Sequence, residues 1–314
     1  MTPTSEKLRR LSFVFSESGW QGGLTRLAAA ISPHLRNRFV ARPWYYRFAS
    51  QRTSALIARN ERFRGLHKGQ TAYVAATGPS VAEQDLSTLD GNVVITVNEN
   101  YAYLRSRGIR VHYNVLQHTS YFTDLKTYAP LWRDLPTSVI EQDIVPVLPA
   151  YASRIVAKDE RWEAIDPAYF YELGDLLAVA GAGHLDVLDF TRPVPGLYTV
   201  THIAVAWALF LGCREVRVLG VDLDFANDQT LPLRHCYGSS PYADHDELST
   251  HELFIRTSQI LPDEIVHHVE QQKKMYSRLG AAARLRGQTV VDCGLRQQAG
   301  DLPKRPLQRI ASPA

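Results

Sequence analysis

Apolar, β-prone runs that each stop at a glycine or a polar residue, with helical stretches between them, constrain this chain more than any other feature. Residues 71–77 (TAYVAAT) stop at Gly78-Pro79-Ser80, residues 92–98 (NVVITVN) end in Asn98, and residues 111–117 (VHYNVLQ) end in Gln117. Residues 138–144 read as a fourth strand, and helices are expected over 99–107 and 121–133. Residues 199–211 (TVTHIAVAWALFL) are apolar on nearly all sides, which predicts a helix buried against a sheet. They pass through Gly212 into a buried strand over 216–222; a long amphipathic helix over 263–286 then stops at Gly287 before a closing strand over 289–293. Such alternation predicts an α/β fold: a Rossmann-like, mostly parallel sheet with helices on both faces. The body is expected over residues 67–300, between a basic helical segment over 1–66 and a tail over 301–314 that reads as frayed.

The 314 residues, 45% of them hydrophobic, suffice for one substantial core. No apolar run approaches the roughly 18 residues that cross a bilayer. The opening MTPTSEKLRR leads into no apolar stretch with a small-residue cleavage site, so no secretory signal is expected. Cys213, Cys236 and Cys293 are odd in number and form no C-x-x-C pair, so neither a disulfide framework nor a zinc site is expected. A reducing cytoplasm fits best.

Net charge is only +3, but residues 1–68 carry 13 Lys and Arg against three acids, Glu6, Glu17 and Glu61. That asymmetry points the N-terminal segment at something anionic: a membrane surface, a phosphorylated glycolipid or the acidic body of the same chain. No nucleic-acid motif accompanies it.

In open parallel sheets ligands bind beyond the carboxyl ends of the strands, so the strand ends are where chemistry is expected. At the first, Gly78 lets the backbone approach a ligand, Pro79 stiffens the turn, and Ser80 can cap the next helix. Ala76-Thr77-Gly78-Pro79-Ser80-Val81 lacks the G-x-G-x-x-G spacing of a dinucleotide site, and Asn98 stands where such a site wants an acid, so a dehydrogenase is disfavoured. Asn98 offers donor and acceptor together, which suits a base edge or a sugar hydroxyl as well as a turn. Gln117-His118-Thr119-Ser120 completes a pocket or caps a helix. Tyr198-Thr199-Val200-Thr201 opens the buried helix with hydroxyls and unbonded amides, a natural anion site as well as an N-cap. Asp222 and Asp224 share a face if the strand persists and could hold Mg²⁺, although bonding to loop amides is the favoured role for Asp222. His235, Tyr237, Tyr242, His245, His251, His267 and His268 gather after that strand, and a histidine there can act as general base.

The run His67-Lys68-Gly69-Gln70-Thr71-Ala72-Tyr73-Val74-Ala75-Ala76-Thr77-Gly78-Pro79-Ser80, with Asp85-Leu86 and Thr96-Val97-Asn98, resembles the opening of the bacterial lipooligosaccharide sialyltransferases. It is equally similar to their relatives, the 6-hydroxymethylpterin diphosphokinase-like group of polysaccharide loci. Thr199-Val200-Thr201 through Gly212-Cys213-Arg214-Glu215-Val216-Arg217-Val218-Leu219-Gly220-Val221-Asp222 is similar too, as are the last long helix and closing strand. The resemblance covers residues 67–296. It implies a Rossmann-like variant of the GT-A fold and a CMP-activated sugar donor, with no metal required. By position, Thr77, Asn98 and His118 fall where that family contacts the nucleotide, and Thr199, Val200 and Thr201 where it flanks the phosphate. His267 or His268 matches the catalytic histidine. Asp224 or Phe225 lies near one phosphate-stabilising tyrosine, and Tyr237 or Tyr242 stands in for the other.

The resemblance therefore implies a cytoplasmic glycosyltransferase, peripheral at the inner membrane surface through residues 1–66. It would move a sialic acid-like or Kdo-like sugar from CMP to a surface glycan or glycolipid. Gly78, Pro79, Ser80, Asp222, Tyr237 and Tyr242 complete the expected donor site, with no cofactor, no metal and no nucleic-acid partner; homo-oligomer formation is left open. The alternatives are an ATP- and Mg²⁺-dependent diphosphokinase using Asp222 and Asp224, and a non-catalytic scaffold of polysaccharide assembly.

Overall fold

A computed structural model describes residues 51–117, 129–172, 188–194, 196–226, 235–236, 262–296 and 299–308. Seven parallel strands form one sheet: β1 Thr71–Ala75, β2 Val93–Val97, β3 Tyr113–Val115, β4 Val145–Pro149, β5 Ala168–Phe170, β6 Glu215–Leu219 and β7 Thr289–Asp292. The spatial order is β5-β4-β3-β2-β1-β6-β7, so the chain reverses its direction of travel across the sheet between β1 and β6. Around the sheet stand α1 Gln51–Ala58, α2 Asn100–Ser106, α3 Ala129–Gln142, α4 Ser153–Val156, α5 Val200–Phe210 and α6 Pro262–Leu285. This is an α/β, Rossmann-like architecture.

Strand alternation divides the core. Along β1, Ala72 and Val74 face one cluster while Tyr73 and Ala75 face the other. The first cluster takes in α5 and α6, and the second takes in Tyr101 and Leu104 of α2 and Leu135 and Val139 of α3. From Thr201 to Phe210, every residue of α5 is buried, because the helix is pressed between the sheet and α6. Helices that return between parallel strands run antiparallel to them. The N-termini of α5 and α6 therefore lie at the same edge as the carboxyl ends of the strands.

Two expectations are corrected. Residues 138–144 are not a strand; Ser138 to Gln142 complete α3, Asp143 takes a left-handed φ of 56°, and the fourth strand is Val145–Pro149. Two prolines in VPVLP hide that strand from a reading based on β-propensity. Pro146 lacks a donor, but β5 pairs with β4 only from Val147 onward, so its nitrogen faces no partner strand. The three-residue β5 was not anticipated either. The second correction concerns the tail: residues 301–308 are strapped along β7. Asp292 N–H donates to Pro303 O and Arg305 N–H to Asp292 O, and Leu302 is buried.

The described part of the basic N-terminal segment lies on the acidic body. Arg59 and Arg62 both pair with Asp166, and Arg64 pairs with Asp189 at 2.7 Å. Among the described residues no helix is long and apolar enough to cross a membrane.

Candidate functional site

The four sequence-derived strand ends meet at one edge of the sheet, but they divide into two kinds of place. At the β1/β6 reversal the polar groups bond to one another. The ladder continues past the strands, with Ala76 N–H donating to Leu219 O at 2.9 Å and Gly78 N–H to Gly220 O at 3.0 Å. Ser80 N–H and Ser80 Oγ donate to the two carboxylate oxygens of Asp222 at 2.7 and 2.6 Å. A Cβ on Gly78 would lie 2.4 Å from Gly220 O and 2.6 Å from Asp222 Oδ2. Glycine is therefore required here by the approach of the chain to itself, which accounts for Gly78 without a ligand. Ser80 is fully buried and bonds to Asp222; it caps no helix, because Pro79–Glu83 is a 3₁₀ turn preceded by Gly78 with no side-chain cap. Burial raises the Asp222 carboxyl pKa, and the Ser80 bonds and Arg296 oppose that rise.

Arg296 also decides the fate of the aspartate pair. Its guanidinium bonds Asp224 at 2.9 Å and Glu83 at 2.8 Å and lies 3.8 Å from Asp222. A cation already bridges the carboxylates that an Mg²⁺ would need. Thr77 contributes its backbone carbonyl to Cys236 N–H at 2.8 Å. Cys236 Sγ bonds Asn100 Oδ1, and Asn100 Nδ2 holds the carbonyls of Ala75 and Ala76 at 3.1 and 2.7 Å. The β1 end is thus tied to the first residue of α2.

One strand over, the groups are left unspent. Asn98 N–H donates to Val115 O at 3.0 Å, yet the residue sits at φ 52°, a left-handed conformation that costs a non-glycine residue about 1 kcal/mol or more. Asn98 Oδ1 is buried with no hydrogen-bond partner among the described residues. A buried acceptor without a donor is costly, and one at a strand end is a place where a ligand donor belongs.

Gln117 reaches the helix start through a side chain the sequence did not single out. Gln117 Nε2 donates to Glu172 Oε2 at 2.8 Å, and Glu172 Oε1 accepts from Leu197 N–H at 3.0 Å. Tyr151 OH donates to Gln117 O at 3.2 Å. The ends of β3 and β5 and the approach to α5 are therefore braced through Glu172.

Tyr198, at φ 52°, turns the chain into α5, where Thr199 is the N-cap. The N–H groups of Val200 and Thr201 have no intrahelical carbonyl within reach, so the helix start presents two donors and the positive end of its dipole. Thr199 Oγ1 lies 2.8 Å from His202 Nδ1, and His202 Nε2 lies 3.2 Å from Gln272 O on α6. Burial pushes the His202 imidazole down to about 3, so it is neutral. Its ring lies 4.1 Å from that of Tyr276, whose phenol burial raises.

The two histidine candidates separate here. His268 is half-buried and its ring lies 6.0 Å from that of Tyr198, beside the α5 start. His267 is exposed, with Nε2 3.3 Å from Gln271 Nε2 along its own helix. His118, Tyr237 and Tyr242 lie outside the described residues, as do Thr119, Ser120, His245 and His251.

The structure thus joins Asn98 to β3, Gln117 through Glu172 to the α5 approach, and Thr199 through His202 to α6 and His268. Glu172, His202 and Tyr276 escaped the sequence reading. The useful signal was present in His202 and Tyr276: a histidine in an otherwise apolar helix and a tyrosine two turns beyond His268. Compared with models of known families, with curated proteins and with solved structures, the chain matches none.

Proposed function

We propose that this chain is a glycosyltransferase that moves a sialic acid-like or Kdo-like sugar from a CMP-activated donor to a hydroxyl of a glycan or glycolipid. The observation that carries the reading is the placement of His268 against Tyr198, at the helix start whose amides suit a phosphate. An anion bound by Val200 and Thr201 N–H would sit where the leaving phosphate gains charge, and donors aimed at developing charge contribute most to such catalysis. Asn98, with its unsatisfied acceptor, would take a hydrogen bond from the nucleoside.

In the reaction, the acceptor hydroxyl oxygen bonds to the anomeric carbon, the bond from that carbon to the donor phosphate breaks, and CMP leaves with the electron pair. His268 takes the hydroxyl proton, the general-base role that a histidine beside a reacting hydroxyl serves. The diphosphokinase reading is disfavoured by Arg296, which holds the aspartates it would need. Contact with an anionic acceptor membrane would fall to residues 1–50, since Arg59, Arg62 and Arg64 are spent on the body; removing residues 1–50 should then abolish liposome binding.

A screen of CMP-, UDP- and GDP-sugars for slow hydrolysis tests the reading. Release of CMP from a CMP-sugar, lost in His268→Ala, is expected; turnover confined to UDP- or GDP-sugars, or none at all, would refute it.

A further inference from the structure

The one histidine of α5 is fully buried, and the proposed chemistry gives it nothing to do. We infer that His202 is a positioning residue, a one-tautomer latch that fixes the first turn of α5 to α6 and so sets where His268 stands relative to the phosphate-binding amides. The inference rests on the proposed reading for its catalytic consequence, but its structural half does not.

The tautomer follows from the partners. Two carbonyls face the ring, and both only accept: Leu197 O already receives Thr199 N–H at 2.5 Å, whereas Gln272 O, 3.2 Å from Nε2, depends on the ring, so Nε2 carries the hydrogen. Nδ1 is then bare and accepts from the Thr199 hydroxyl at 2.8 Å, while the Tyr276 phenol, which also meets the Thr199 and Thr201 hydroxyls, keeps a proton of its own to donate. The Thr199 hydroxyl oxygen also receives His202 N–H, at 3.4 Å, as the N-cap of the helix. The Thr199 proton is therefore committed inside the protein, which leaves the anion-facing role at this helix start to the amides of Val200 and Thr201.

Spacing then carries the effect to His268. On α6, His268, Gln272 and Tyr276 recur at four-residue intervals and share one face. Each meets the α5 region: His268 faces Tyr198, the Gln272 carbonyl takes the His202 hydrogen bond, and Tyr276 packs on the His202 ring at 4.1 Å. The middle contact is a polar bond in a dry interior, where losing one partner costs more than the bond contributes. Protonation would break the latch by removing the Nδ1 acceptor; burial, with the neighbouring His268 of α6 acting in the same direction, holds the ring neutral against it.

The test uses the full chain with ¹⁵N-labelled histidine and two substitutions of different reach. Glutamine places its amide nitrogen near the Nε2 position and can still donate to Gln272 O; asparagine is too short to reach it. In the wild type we expect His202 to show Nε2–H with a bare Nδ1 and no titration from about pH 5 to 8, and a cross-peak between the Tyr198 and His268 rings. His202→Gln should keep the cross-peak and His202→Asn should lose it. With CMP-N-acetylneuraminate as donor, His202→Asn should lower kcat about 10²-fold with KM little changed, and His202→Gln should lose less than about tenfold. A hydrogen on Nδ1, a ring that titrates near neutrality, or a cross-peak that survives in His202→Asn would overturn the latch. So would equal kcat in the two variants. A latch that behaves as described in a protein that neither binds CMP nor hydrolyses CMP-sugars would overturn the proposed reaction and leave the latch standing.

Discussion

Two neighbouring stretches of one sheet edge differ in what their polar groups do. At the β1/β6 reversal, Ser80, Asp222, Asp224, Glu83 and Arg296 bond to one another. At the β2/β3 end, Asn98 keeps a buried acceptor unsatisfied in a left-handed conformation, and at the same edge of the sheet α5 opens with amides its own helix cannot use. The first stretch holds the motif that reads as a nucleotide loop, and physically it is a clasp. The second holds little motif and more unspent chemistry. A glycine and an acid at strand ends mark close approach; whether a ligand or the chain itself makes that approach depends on tertiary pairing.

The comparison can be broken most sharply at the histidines. His268→Ala should cost about 10³-fold in CMP-sugar turnover, as expected for a general base, with His267→Ala near wild type. Equal losses in steady-state assays would mean that the Tyr198 contact does not select the base. Next comes the clasp. Asp222 has a side chain only 3% exposed, so Asp222→Ala strands the Ser80 donors and should lower stability by about 3 kcal/mol in urea unfolding. CMP affinity should stay within about twofold of wild type in the same variant; a large affinity loss would return the nucleotide to the β1/β6 reversal.

Acid titration sharpens the α5 side. His202 is neutral in the fold down to about 3, whereas an unfolded histidine takes a proton below its ordinary 6.5. Its contribution is thus complete above that value and is lost as pH falls toward 3, by up to about 1.4 kcal/mol per pH unit. The difference between wild type and His202→Gln in denaturant midpoints should carry this slope; a flat difference from pH 6 to 4 would contradict it. The smallest effect falls on Asn98. Asn98→Gly removes both the left-handed strain and the orphaned acceptor, so it should raise stability by about 1 kcal/mol and weaken CMP binding about tenfold. Loss of stability would show that Asn98 serves the turn alone.

Much of the fold was legible because its signals are local. β2 is a continuous β-branched run, β1, β6 and β7 are short β-prone stretches that stop at a glycine or a polar residue, and α5 is apolar on nearly all sides, as a helix between sheet and helix must be. β4 escaped because VPVLP carries two prolines whose missing donors matter only once the registers with β3 and β5 are known, and β5 because three residues carry no period. The positions were legible in part: Asn98 follows β2 and Thr199 caps α5, both at the sheet edge where the strand-end reading looks. Their assignment was not, because Gly78, Ser80 and Asp222 look the same whether they hold a phosphate or each other. Glu172 and His202 act through partners 25 and 70 residues away in sequence, and no local pattern announces such partners.

Calorimetric titration of CMP, without magnesium, into wild type, Asn98→Gly and Asp222→Asn tests the nucleotide site most directly. CMP should bind wild type and Asp222→Asn alike and Asn98→Gly about tenfold more weakly. Tight, magnesium-dependent ATP binding with none for CMP, or CMP binding that survives in Asn98→Gly and vanishes in Asp222→Asn, would contradict it.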